Sequence, residues 1–340
     1  MRAVYASFVV FGFVLGACGP GQDLFTETQG AIQSFVEVPG EIRLEVLDWG
    51  GTGDLLLFIP GVTGTAHIFN GIAREFTDSY RVVAMTRRGH GASGKPGSPF
   101  DLDVLADDIA VVIDRFADGP AILVGHSYGG VELPRLASRH PSKVQALIFL
   151  DAVYDWPDLL QWPGQPGYAM PDSAYPSLEE LEAWYRLAFP EFRSPVALEH
   201  LRSQVRVTEQ NDLVWQLPFP GPEFLEFANL YAGWSGTEFS GIQVPVLSIQ
   251  ADQEEFLEVH LAGRGFPEDS IEAVGRWAQE YDNVGKGAGR AMLLDAVPHA
   301  VTMVLDSTHH ILQLQRPDEV VRLMREFLKD HVGGPDGGGR

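Results

Sequence analysis

The run Ala121-Ile122-Leu123-Val124-Gly125-His126-Ser127-Tyr128-Gly129-Gly130 constrains this chain more than any other stretch. Four apolar residues suited to a buried strand lead straight into Gly-x-Ser-x-Gly. Beyond it, Leu133, Leu136 and Ala137 recur on one side of a helical pattern from Val131 to His140. Strand, sharp turn and helix in that order press two backbones together, which calls for glycine at 125 and 129. The residue at the tip of such a turn is held in a strained conformation, with its side chain standing above the sheet. Ser127 occupies the tip and is expected to act as a nucleophile. The five-residue pattern alone says little, because most serines only hydrogen-bond locally; the flanking strand and helix give it meaning.

Similar apolar runs recur along the chain. Leu55–Ile59 reads as a strand buried on both faces, Ala146–Leu150 as another buried strand, and Arg81–Met85, Val244–Gln250 and Val301–Leu305 as further strands of the sheet. Helical patterns at Ala66–Phe76, Leu105–Phe116, Ile271–Gln279, Arg290–Ala296 and Asp318–Asp330 separate or follow them. Ser34–Val38 and Ile42–Asp48 form a hairpin around Pro39-Gly40. Strands alternating with helices predict a mostly parallel sheet flanked by helices, with chemistry at the carboxyl ends of the strands. Between Trp156 and Gln243 the composition changes. Prolines come at short intervals, Leu178–Leu187 and Phe224–Tyr231 look helical, five of the seven tryptophans fall there, and no strand alternation is visible. Residues 156–243 are therefore expected to form an inserted helical lid, with the core built from 31–155 and 244–332. Trp156, Trp162, Trp184, Trp215 and Trp234, with Tyr168, Tyr175, Tyr185 and Tyr231, suggest an apolar or aromatic pocket beneath it.

The 340-residue chain carries a net charge of −22 and offers no basic stripe, which argues against a nucleic-acid partner. Its single cysteine, Cys18, ends the run Leu15-Gly16-Ala17-Cys18 behind the apolar stretch Ala3–Val14, which is short for a membrane span and suited to a signal-peptide core. The tetrapeptide resembles the lipobox of bacterial lipoprotein precursors, which implies lipidation at Cys18. The expected location is the bacterial cell envelope, lipid-anchored or secreted into the periplasm, with 19–30 a tether and 333–340 a disordered tail. Membrane contact is then through the N-terminal anchor only. Oligomeric state is left open.

A serine hydroxyl needs a base within hydrogen-bond reach, and the base needs a carboxylate to orient it. Val301-Thr302-Met303-Val304-Leu305-Asp306-Ser307-Thr308-His309-His310 places two histidines in the loop after the last strand. Here the chain resembles the α/β-hydrolase superfamily from about Phe35 to Val332. The resemblance implies an eight-stranded, mostly parallel sheet with an inserted lid. In that family a proline opens a helix seven residues after the catalytic histidine. Pro317 stands seven after His310, which makes His310 the base, while His309 takes the usual glycine position and is the alternative. The family's Gly-x-x-Asp at the penultimate strand falls on Ala251-Asp252-Gln253-Glu254, which points to Glu254 as the triad acid. Asp252 competes with it, then Asp151 after an earlier strand, or Glu255. The oxyanion donors implied are the backbone N–H groups of Val62, in Pro60-Gly61-Val62, and of Tyr128. Arg88-Gly89-His90-Gly91-x-Ser93 matches another family signature, with His90 structural. The spacing of Asp252, Glu254, His309 and His310 lacks any metal-ligand pattern, and the chemistry calls for no cofactor. The resulting expectation is a serine hydrolase acting on a small-molecule carboxylic ester. Lactonase, amidase, peptidase and carbon–carbon hydrolase activities are alternatives on the same triad. A ligand-binding protein that keeps the fold, or a lipid-anchored interaction protein of the envelope, is the reading from another class.

Overall fold

Side chains of successive residues in a strand point to opposite faces, and Leu55–Ile59 shows what this builds. In the computed structural model, Leu55, Leu57 and Ile59 belong to one buried apolar cluster, and Leu56 and Phe58 to another on the opposite side. The structure describes residues 30–96, 101–155, 177–188, 194–207, 213–215, 239–252 and 285–333. Its main sheet has eight strands: β1 (Ile32–Val38), β2 (Ile42–Gly50), β3 (Leu55–Ile59), β4 (Arg81–Met85), β5 (Ala121–His126), β6 (Val144–Leu150), β9 (Val246–Ala251) and β10 (Val301–Leu305). They lie in the order β1-β2-β4-β3-β5-β6-β9-β10. The contacts of β2 with β1 and β4 are antiparallel, and all others in this sheet are parallel. The eight-stranded, mostly parallel sheet expected from the α/β-hydrolase resemblance is therefore present.

Helices cover both faces. On one side pack α1 (Leu102–Phe116) and α2 (Tyr128–Arg139), whose Leu105, Ile109, Val112, Leu133 and Leu136 join the first cluster. Asp101 caps α1 by accepting a 3.0 Å hydrogen bond from the Val104 amide, and so starts it earlier than apolar periodicity alone suggested. The opposite face is closed by α7 (Pro317–His331), through Val320, Met324, Phe327 and Leu328. The helix expected over Ala66–Phe76 is instead two 3₁₀ turns, Ala66–Phe69 and Ala73–Phe76. Asn70 and Gly71, both poor helix formers, stand between them.

In the region expected to be a helical lid, the described residues form α3 (Leu178–Ala188) and α4 (Pro195–Ser203). They also form a separate antiparallel pair, β7 (Val205–Val207) and β8 (Leu213–Trp215). That ribbon corrects the expectation of a region without strands; three-residue strands are too short for alternation to stand out. Helix α4 is fastened to the loop after β3 by polar contacts. Gln204 donates to the Thr63 carbonyl at 2.9 Å, Asn70 donates to Glu199 at 3.0 Å, and the hydroxyls of Thr65 and Ser203 lie 2.5 Å apart. Trp184 and Tyr185 sit on α3 and Trp215 on β8, while the other aromatic residues expected in the lid lie outside the described residues. So do the expected signal segment, Cys18, the tether, the tail from residue 334, and the helices at 224–231 and 271–279. After β9 come α5 (Gly287–Ala296), β10, α6 (Leu312–Gln315) and α7. No helix among the described residues is long and apolar enough to cross a membrane.

Candidate active site

β5 ends at His126, and the chain reverses at once into α2. Ser127 sits between them at φ 51°, ψ −127°, a region that side chains rarely occupy. Two backbone hydrogen bonds hold it there: its amide donates to the Leu150 carbonyl at 3.1 Å, and its carbonyl accepts from the Gly130 amide at 2.9 Å. The neighbouring glycines are needed because there is no room for more. A Cβ on Gly125 would lie 2.6 Å from Gly130 Cα, and one on Gly129 would lie 2.5 Å from the Ile59 carbonyl oxygen. The strained tip read from the sequence is thus a property of the backbone.

β10 delivers His310 to the same point. The Ser127 hydroxyl donates to His310 Nε2 at 2.8 Å, and His310 Nδ1 donates to Asp151 Oδ2 at 2.7 Å. His126 Nε2 donates to the His310 carbonyl at 3.0 Å, fixing the backbone of the histidine as well. The carboxylate that meets His310 is that of Asp151, ranked behind Glu254 and Asp252 in the sequence reading. Glu254 and Glu255 lie outside the described residues. The backbone of Asp252 supports the histidine loop: its amide donates to the Leu305 carbonyl at 2.9 Å, and its carbonyl accepts from the Thr308 amide at 2.8 Å. His309 is buried and bonded within its own loop, its Nδ1 accepting from the Ile311 amide at 3.0 Å. His90 is buried, its Nδ1 donating to the Arg88 carbonyl at 3.0 Å, in keeping with a structural place.

Asp151 has no exposed surface. Burial works against its charge, but the Lys286 ammonium 3.4 Å from Oδ1 works the other way, as do the hydrogen bonds from His310 and from the Ala251 amide at 2.9 Å. The outcome is a carboxyl held well below the usual carboxylate range. Lys286 also donates to the Ala251 carbonyl and lies 5.9 Å from the centre of the Tyr154 ring. The Tyr154 hydroxyl oxygen is 3.2 Å from His310 Nδ1. Sequence reasoning missed Lys286 and Tyr154. Neither belongs to a spacing pattern, and each reaches the site only through tertiary packing. Burial lowers His126 to a pKa of about 3, with the nearby His310 adding to the effect, so His126 stays neutral beside the serine.

Gly61, in the loop after β3, runs against the serine. A Cβ there would lie 2.9 Å from Ser127 Cβ and 3.1 Å from His126 Nδ1. Val62 follows it, half-buried, and Thr63 turns the chain at φ 62°. Val62 and Tyr128, the two residues expected to supply oxyanion donors, therefore follow directly on the two backbone segments that meet at Ser127. The buried guanidinium of Arg87 lies behind the loop, with Nη1 donating to the Gly61 carbonyl at 2.8 Å and Nη2 to the Pro60 carbonyl. Among the described residues, no group of three or more His, Cys, Asp or Glu side chains is arranged to hold a metal ion. Chemically, the arrangement offers a hydroxyl already bonded to a base, a base oriented by an ionised acid, and a backbone loop beside them.

A family model described as the alpha/beta hydrolase fold matches residues 54–222. Over 112 residues the chain is 37% identical to 2-(acetamidomethylene)succinate hydrolase of Mesorhizobium japonicum, covering 33% of this chain and 40% of that protein. Over 111 residues it is 34% identical to lipase LipV of Mycobacterium tuberculosis, covering 32% of this chain and 42% of that protein. The chain thus matches about two-fifths of the length of these relatives. The crystal structure of E-2-(acetamidomethylene)succinate hydrolase superposes with a TM-score of 0.67 at 20% identity, covering 88% of this chain and 99% of the other.

Proposed function

We propose that this chain is a serine hydrolase of the α/β-hydrolase superfamily that cleaves a carboxylic ester of an apolar or aromatic small molecule. The observation that carries the reading is the unbroken hydrogen-bonded line from Ser127 Oγ through His310 to Asp151, with Ser127 at the tip of a strained turn. His310 Nε2 takes the serine proton as Oγ attacks the acyl carbon. The negative charge that develops on the former carbonyl oxygen falls to the amides of Val62 and Tyr128. Protonated His310 then passes its proton to the leaving alcohol, and an ester to Ser127 remains. Water, deprotonated by the same imidazole, attacks that ester and releases the acid. Asp151 stays ionised throughout; its part is to hold Nδ1–H and stabilise the imidazolium. Glu254, the acid first implied by the family resemblance, has no step in this scheme, and no cofactor is required.

The lipase among the relatives supports an ester; the hydrolase of 2-(acetamidomethylene)succinate, a substrate named for its acetamide, supports an amide as the second reading. Helix α4, fastened beside the Val62 loop, supports a lid over the strand ends formed by the 156–243 insertion. The chain's N-terminal segment supports an envelope location through lipid on Cys18. In that case Cys18→Ser should leave the protein in the soluble fraction, whereas an unchanged membrane fraction would refute the anchor.

The test is hydrolysis by the full chain of p-nitrophenyl esters of rising acyl length, alongside the matching p-nitroanilides, in the parent and in Ser127→Ala and His310→Ala. Ester turnover that vanishes in both variants is expected. Faster turnover of the anilides would move the assignment to an amidase, and turnover that survives in both variants would refute the serine mechanism.

A further inference from the structure

Arg87 stands outside the triad, yet its side chain is committed to the site's backbone. It is 1% exposed, and its Nε pairs with Glu132, which is 0% exposed on the first turns of α2. Nη1 donates to the Gly61 carbonyl at 2.8 Å, and Nη2 donates to the Pro60 carbonyl. A buried ion pair is on average no more stabilising than apolar side chains of the same volume, so stability alone does not account for this one. Its geometry does. The Gly61 carbonyl and the Val62 N–H belong to one planar peptide unit, so a donor that fixes the oxygen also fixes the direction of the N–H. The formal charge on that donor polarises the peptide and strengthens the N–H at its other end. The Gly64 amide adds a second bond to the same carbonyl at 3.0 Å, and Thr63 holds a positive φ just beyond. Such a turn persists only where its surroundings over-determine it.

We propose that Arg87 is a positioning residue for the oxyanion site: its guanidinium aligns and polarises the Gly61–Val62 peptide and, through Glu132, locks the Val62 donor to the helix that carries the Tyr128 donor. The proposal rests on the serine hydrolase reading above. It gives the two donors a common rigid frame, with the loop after β3 and the N-terminus of α2 joined by one side chain from the end of β4.

The test compares each ester with its thionoester, in which sulfur replaces the carbonyl oxygen. Sulfur accepts hydrogen bonds poorly, so the ester-to-thionoester rate ratio reports how much the oxyanion donors contribute. The variants are the double change Arg87→Met with Glu132→Leu, which leaves no unpaired buried charge, and Arg87→Lys, which keeps the charge but cannot span both carbonyls. In the double variant kcat should fall about tenfold or more, KM should stay within about threefold, and the ester-to-thionoester ratio should fall with kcat. Arg87→Lys should lie between parent and double variant. If the double variant does not fold, Arg87→Lys decides by the same ratio. A folded variant with parental kcat and ratio, or with lowered kcat and an unchanged ratio, overturns the proposal while the serine mechanism stands. A parent that takes ester and thionoester alike overturns this proposal while the serine mechanism stands, and turnover that survives in Ser127→Ala overturns both.

Discussion

Asp151 carries the consequence of this structure that is easiest to test. A carboxylate with no exposed surface is opposed by its own burial, and Lys286, His310 and the Ala251 amide together hold it ionised. Asp151→Asn should therefore lower kcat about 10³- to 10⁴-fold, because an amide cannot hold the imidazole in the required tautomer or stabilise its charge. Asp252→Asn should stay within about threefold of the parent in the same ester assay. A collapse of activity in the Asp252 variant instead would move the acid there. Lys286→Met leaves the buried carboxylate without its cation and should cost about 3 kcal/mol of stability at pH 7, read by urea denaturation. The folded pKa of Asp151 is depressed, so its contribution is present above the unfolded value near 3.8 and is lost as pH falls through the lower folded value. The loss in Lys286→Met should accordingly shrink toward pH 3, whereas a loss independent of pH would indicate packing alone.

Among the elements, β6 and β9 explain why the acid was hard to read from the sequence. They are adjacent parallel strands, with Leu150 opposite Ile249, and the Asp151 amide donates to the Ile249 carbonyl at 2.7 Å. Both strands thus deliver their next residues to the same end of the sheet, level with His310. Motif spacing along one strand could not show that its neighbour supplies the carboxylate. The elbow was legible because its constraint is local: strand, glycine, serine, glycine and helix follow one another, and backbone contact at Gly125 and Gly129 enforces the pattern. Gly289 on α5 is a constraint of the other kind, invisible until the chain is folded. A Cβ there would lie 2.5 Å from Tyr154 Cα and within 2.7 Å of its backbone nitrogen and carbon. Gly289→Ala should push α5 from the segment behind the triad, costing about 1–3 kcal/mol of stability and lowering kcat with it. A melting temperature and kcat equal to the parent's would show that the contact relaxes freely.

Taken whole, the molecule shows which sequence signals survive folding. The strands, the hairpin at 39–41 and the amphipathic closing helix appear where expected, since each follows from local pattern, although β10 at the sheet edge leaves Met303 and Val304 exposed. The 3₁₀ turns at 66–76 and the ribbon of β7 and β8 were not legible because each is built from pieces of three or four residues, too short for a period to register, and the Lys286 and Arg87 contacts because they join residues far apart in the chain. The interior also carries buried histidines. Burial holds His90, His126 and His200 near a pKa of about 3, helped by Arg87, His310 and His67 respectively. An unfolded histidine binds a proton near pH 6.5 that these sites refuse, so stability is full above that value and falls as pH drops toward 3, by up to about 1.4 kcal/mol per pH unit for each. Denaturant titrations at pH 7, 6 and 5 should show that decline, and His200→Gln should flatten it; equal stability at all three would contradict it.

The central claim is that Ser127, activated by His310, is the nucleophile. Its most direct test is intact-mass analysis of the full chain after reaction with a fluorophosphonate, followed by peptide mapping. The expected result is one adduct per chain on Ser127, absent in Ser127→Ala and formed at least about 100-fold more slowly in His310→Ala. An adduct on another residue, or labelling of Ser127 at the parental rate without His310, would contradict the mechanism.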